Sequence, residues 1–114
     1  MKKIETLIQP ERLVAISNAL INAGLVDITV SQVRKFDRHN GQIQRYRGVE
    51  FAVNFLTKIK VEVVVDDSQV NLVVEKIVAA VPNEEIGSSK IFIIPIEEVL
   101  SSQMLAQTLA TAQG

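Results

Sequence analysis

The chain has no cysteine and a single histidine, His39. The first absence removes disulfides, thiolate metal sites and a cysteine nucleophile, and the second leaves no Ser/His/Asp series from which to build a proton relay. No pair of carboxylates has an evident reason for a shifted pKa, so the residues do not describe an enzyme. An excess of one charge is also lacking. The 12 lysines and arginines nearly balance 13 aspartates and glutamates, for a net charge of −1 without a concentrated basic run. Such a surface has no field with which to collect nucleic acid or acidic lipid. No stretch approaches the roughly 18 apolar residues of a membrane span, and Met1-Lys2-Lys3-Ile4-Glu5 alternates instead of opening a signal-peptide core. A cytoplasmic protein without direct membrane insertion is the expectation.

What is present is apolar and periodic. With 114 residues, 47% hydrophobic and 22% charged, the chain fits one domain. Residues 2–9 alternate, with Ile4, Thr6 and Ile8 on one side and Lys3, Glu5, Leu7 and Gln9 on the other, as a half-buried strand requires. Pro10 suits a first helical turn, Leu13, Ile16, Ala19, Leu20 and Ala23 recur at helical spacing, and Gly24 supplies the stop, which predicts a helix over 11–23. Val26 to Phe36 reads as a second strand whose phase shifts at Val33, as a bulge or the approach to a loop would produce. Ile59, Val61, Val63 and Val65 mark a third strand over 56–65. Asp66 and Gln69 form a capping-box pattern ahead of the stripe Val70, Val73, Val74, Ile77, Val78. These β-branched residues favour a strand by propensity, but their period predicts a helix ending at Pro82. Ile91–Ile94, closed by Pro95, is the fourth strand, and the polar tail 101–114 has only Met104, Leu105 and Leu109 at helical spacing.

The order β-α-β-β-α-β predicts an α+β, ferredoxin-like sandwich, an antiparallel sheet with two helices on one face. Two helices leave the second face, with Leu7 and Val64 among polar residues, for self-association. Between the second and third strands, Phe36 to Leu56 shows no clean period and is longer than a hairpin connection, so it reads as a long functional loop. Tyr46, Val49 and Phe51 would form its apolar tip, with Arg38, Arg45 and Arg47 as charged donors.

The opening Met1-Lys2-Lys3-Ile4-Glu5, the loop run Tyr46-Arg47-Gly48-Val49-Glu50-Phe51, Val73-Val74-Glu75-Lys76-Ile77 and Ile86-Gly87-Ser88-Ser89-Lys90-Ile91-Phe92 resemble the PII nitrogen-regulatory signalling proteins over about residues 1–100. The resemblance implies a homotrimer of ferredoxin-like subunits, residues 1–100, each with an effector-reading loop over 37–55, followed by a C-terminal tail. It further implies a regulator that senses a small effector and controls a protein partner, a transporter or a metabolic enzyme, with Tyr46, Arg47, Val49 and Phe51 on the partner. Phe51 stands where some members carry a uridylylated tyrosine, and Val49 where cyanobacterial relatives carry a phosphorylated serine, so neither switch is expected here.

Carried over by resemblance, the nucleotide-binding positions are Thr29, Arg38, Glu62, Val64, Gly87 and Lys90, for ATP, ADP or AMP. The second signature, Thr-Gly-Lys-Ile-Gly-Asp-Gly-Lys in the family, reads Asn83-Glu84-Glu85-Ile86-Gly87-Ser88-Ser89-Lys90 and keeps one of three glycines. Two phosphate-contacting arginines are Ser101 and Gln103 here. At roughly 1.5–3 kcal/mol per charge-assisted contact, their loss weakens triphosphate binding by about a hundredfold or more. For 2-oxoglutarate, Lys58 matches, whereas His39 replaces the magnesium-coordinating glutamine and Gln9 the first-strand arginine. His39, with Asp37 and Glu50 in the same loop, is also the one candidate metal ligand. The alternatives are a nucleotide-independent or metal-responsive trimeric adaptor, a purely structural trimer, and a slow ATPase.

Overall fold

The computed structural model describes residues 1–36, 43–46, 49–52, 55–81 and 90–113. Strand β1 (Lys2–Ile8) buries Ile4, Thr6 and Ile8 and leaves Lys3, Glu5 and Leu7 on the other face, as the alternation predicts. A 3-10 turn over Pro10–Arg12 leads into helix α1 (Leu13–Asn22), which buries Ile16 and Leu20. Gly24 ends it at φ +92°, with its N–H donating to the Ile21 carbonyl and the Leu25 N–H to the Leu20 carbonyl. This is a Schellman closure, and it requires the left-handed backbone that glycine tolerates.

Strand β2 spans Ile28–Phe36 and pairs antiparallel with β5 (Phe55–Val65) without interruption from Ile28↔Val63 to Phe36↔Phe55. No bulge is present. The phase change at Val33 is an apolar residue on the open face, opposite Lys58. The capping box forms as expected: the Asp66 side chain accepts from the Gln69 backbone, and the Gln69 side chain accepts the Asp66 N–H at 3.2 Å. It opens helix α2 (Val70–Ala80), which buries Val73 and Ile77, so period prevails over β-branched propensity. Strand β6 (Ile91–Pro95) pairs with β1.

The four-stranded sheet runs β2-β5-β1-β6, all antiparallel, the ferredoxin-like order. Both helices cover one face. Ile4, Ile8, Ile16, Leu20, Val61, Val63, Val65, Val73, Ile77 and Val81 form the core between them. The stretch expected to be an aperiodic loop instead contains a second sheet, the hairpin of β3 (Ile43–Tyr46) and β4 (Val49–Ala52), paired from Ile43↔Ala52 to Tyr46↔Val49. Residues 102–113 also depart from the expected tail. They form helix α3 (Ser102–Gln113), capped by Ser101, whose Oγ accepts the Met104 N–H at 3.1 Å.

Candidate functional site

The open face of the sheet carries the candidate site. At its centre, β1 and β5 set Glu5 directly opposite Glu62, a like-charge pair that would destabilise the ladder by itself. Lysines at the diagonal positions answer both. Lys3 Nζ lies 3.2 Å from Glu62 and 3.5 Å from Glu5, and Lys60 Nζ lies 3.3 Å from Glu5 and 3.5 Å from Glu62. The result is a closed ring of alternating charge. The hydrogen bond and charge of Lys3, and after them the Lys60 charge, hold the Glu62 carboxyl below the usual range, while Glu62 holds the Lys3 ammonium above its usual value.

The ring makes a pH prediction. A carboxyl with a lowered folded pKa contributes stability that is present above its ordinary value and lost as pH falls through the folded one; an ammonium with a raised pKa contributes stability lost only as pH rises past its own. Stability therefore has a plateau between the ordinary carboxylate value of 4.5 and the ordinary lysine value of 10.5. Glu62→Gln is expected to shrink the acid limb of a denaturation profile measured from pH 7 to pH 3. An unchanged limb would show that the ring is only a solvated arrangement.

On either side of the ring lie two cavities of opposite character. One, of about 230 Å³, is lined by Asp27, Thr29, Glu62 and Val64, so the structure brings together three of the six nucleotide-binding positions expected from sequence. Thr29 pairs with Glu62 across the β2–β5 ladder, which is why they share a face. The other, of about 280 Å³, is lined by Leu7, Lys35, Lys58, Lys90 and Phe92. Here Lys58, expected at an effector, and Lys90, expected at a phosphate, stand on one wall system. The backbone at Lys90 is tied to the core by Thr6, a buried residue whose Oγ1 donates to the Lys90 carbonyl at 2.9 Å. That bond fixes the start of β6 and with it the origin of the Lys90 side chain.

Arg38, His39 and Gly87 lie outside the described residues, as does Arg47; Tyr46, Val49 and Phe51 fall within the hairpin strands. The metal expectation on His39 therefore has no described geometry, and among the described residues no three potential ligands converge. Sequence reasoning missed Asp27 and Lys35. Both were legible by parity: Asp27 is two residues before Thr29, and Lys35 two after Val33, so each shares the open face.

The family model described as Nitrogen regulatory protein P-II matches residues 1–104. Proteins of that name are similar over 100 residues: those of Nostoc punctiforme, a Synechocystis strain and Azospirillum brasilense are 56%, 52% and 44% identical, covering 88% of this chain and 89% of each relative. Among the described residues no helix is long and apolar enough to cross a membrane.

Proposed function

The chain belongs to the nitrogen regulatory protein P-II family, and from that premise we propose that it is a trimeric signalling regulator. It senses a small anionic effector, an adenine nucleotide first among candidates, at clefts between subunits, and controls a transporter or metabolic enzyme through the segment 37–54. One observation carries the reading. Thr29, Glu62 and Val64 line one cavity and Lys58 and Lys90 the other. Glu62 and Lys58 are four residues apart on β5, which at about 3.3 Å per residue separates them by about 13 Å. A ligand touching both sets is best served by two copies, the Thr29 and Glu62 end of one facing the lysine end of the next. The exposed Val64, Phe92 and Ile94 on the same face supply apolar surface for that contact.

Effector binding then acts by differential affinity: it stabilises one arrangement of the segment between β2 and β5, and only that arrangement fits the partner. No covalent step is required. The nucleotide-independent adaptor is the second reading, supported by Ser101, which caps α3 where the family carries a phosphate-contacting arginine.

Light scattering at micromolar concentration is expected to give three times the chain mass of 12.6 kDa. Calorimetric titration of ATP is expected to show Lys90→Ala weakening affinity at least about tenfold, one charge-assisted contact, with the mass unchanged. A single-chain mass overturns the shared site. Equal ATP affinity in both proteins removes Lys90 from it.

A further inference from the structure

The lysine cavity has a member that the nucleotide reading does not use. Lys35 lies near the end of edge strand β2, opposite Leu56 and two residues beyond Val33, and so reaches the same open-face cavity as Lys58 and Lys90. Among the described residues the rest of the lining is Leu7 and Phe92, neither of them acidic, and none of the three ammonium groups has a described ion-pair partner. This sets the cavity apart from the central ring, where Lys3 and Lys60 are each held by two carboxylates. Three ammonium groups around a cavity of about 280 Å³ repel one another, and an anion among them relieves that repulsion. Their number matches dense negative charge better than one carboxylate or one phosphate.

We infer that Lys35 is a further anion-binding residue of this cavity and that it selects for ligands carrying an oligophosphate chain over those carrying one phosphate. The inference rests on the proposed effector site and deepens it: Lys35 supplies from β2 a third cation beside Lys58 and Lys90. Lysine suits the task as a compact charge on a flexible stem, able to follow a phosphate chain without fixed fork geometry. Leu7 and Phe92 form the apolar wall and keep the anion among the ammonium groups.

The test uses the full chain with inorganic tripolyphosphate, ATP and AMP as probes, titrated calorimetrically at about 0.1 M salt, where longer-range charge effects are screened. Lys35→Gln is expected to weaken tripolyphosphate and ATP about tenfold and AMP by no more than about twofold, and Lys35→Arg to restore most of the loss. Lys76→Gln, which removes an exposed charge on α2, is expected to change none of them. Unchanged tripolyphosphate affinity in Lys35→Gln, an equal loss for AMP, or the same loss in Lys76→Gln would overturn the inference. So would a wild-type chain that does not bind tripolyphosphate. If tripolyphosphate binds through Lys35 while ATP and AMP do not bind, the nucleotide reading fails and the role of Lys35 stands.

Discussion

Leu20→Ala is expected to cost about 2–5 kcal/mol of folding stability, a large share of the roughly 5–15 kcal/mol that holds a domain of this kind together. Leu20 has no exposed surface and belongs to the one described cluster that joins α1 to α2 and to the sheet. Removing three heavy atoms there forfeits their transfer free energy and leaves a void that the branched neighbours Ile16, Val73 and Ile77 cannot fill from fixed rotamers. Val14→Ala, on the same helix but 70% exposed, should stay within about 0.5 kcal/mol. Urea unfolding at one fixed protomer concentration separates the two, because the proposed self-association would make apparent stability depend on concentration. At about 4–8 °C per kcal/mol, the Leu20 variant should also melt far below the parent. A loss under about 1 kcal/mol would mean that α1 does not anchor the core.

The parts of the fold with one buried face were legible in the sequence because burial imposes a period. Ile4, Thr6 and Ile8 alternate, Val73 and Ile77 recur at helical spacing, and Asp66, Gln69 and Gly24 mark helix ends by hydrogen-bonding chemistry that acts locally. Where that constraint weakens, the sequence signal weakens with it. Strands β3 and β4 are four residues each, too short for a period to show, and they pair only with one another. Helix α3 carries three large apolar residues, Met104, Leu105 and Leu109, and residues 101–107 are exposed, so the capping serine is its clearest signal.

The sequence names candidate site residues but not how they group. Family resemblance pointed to Thr29, Glu62, Val64, Lys58 and Lys90 alike, but which of them meet depends on strand register, set by pairings such as Thr29↔Glu62 and Val33↔Lys58 between residues far apart in the chain. The same register puts Glu5 against Glu62, and only then does the role of Lys3 and Lys60 appear, as the cations that make that opposition tolerable. Along this face the charge-balanced ring lies between Asp27 at one end and Lys35, Lys58 and Lys90 at the other.

Replacing residues 37–54 by Asn-Gly is expected to leave folding intact and abolish control of the partner, the largest functional effect predicted for this chain. The reason lies in the ladder. Phe36 and Phe55 are direct cross-strand partners, with ring centroids 5.7 Å apart, so β2 and β5 already stand at hairpin distance where the excursion begins and ends. A two-residue turn of the Asn-Gly type closes such a pair with the twist the strands require. Among the described strands the β3–β4 hairpin forms a sheet of its own that no strand of the main sheet joins. Stability should therefore change by less than about 1 kcal/mol, or about 4–8 °C in melting temperature, and a shorter connection gains a little closure entropy. The oligomeric mass should fall only by the excised residues. Two measurements decide the matter: thermal unfolding with light scattering on the shortened chain, and regulation of the partner assayed against the full chain. If the shortened chain fails to fold or assemble, the segment is part of the scaffold. If it folds, assembles and still regulates, the partner reads another surface, and the proposal that signalling runs through residues 37–54 is wrong.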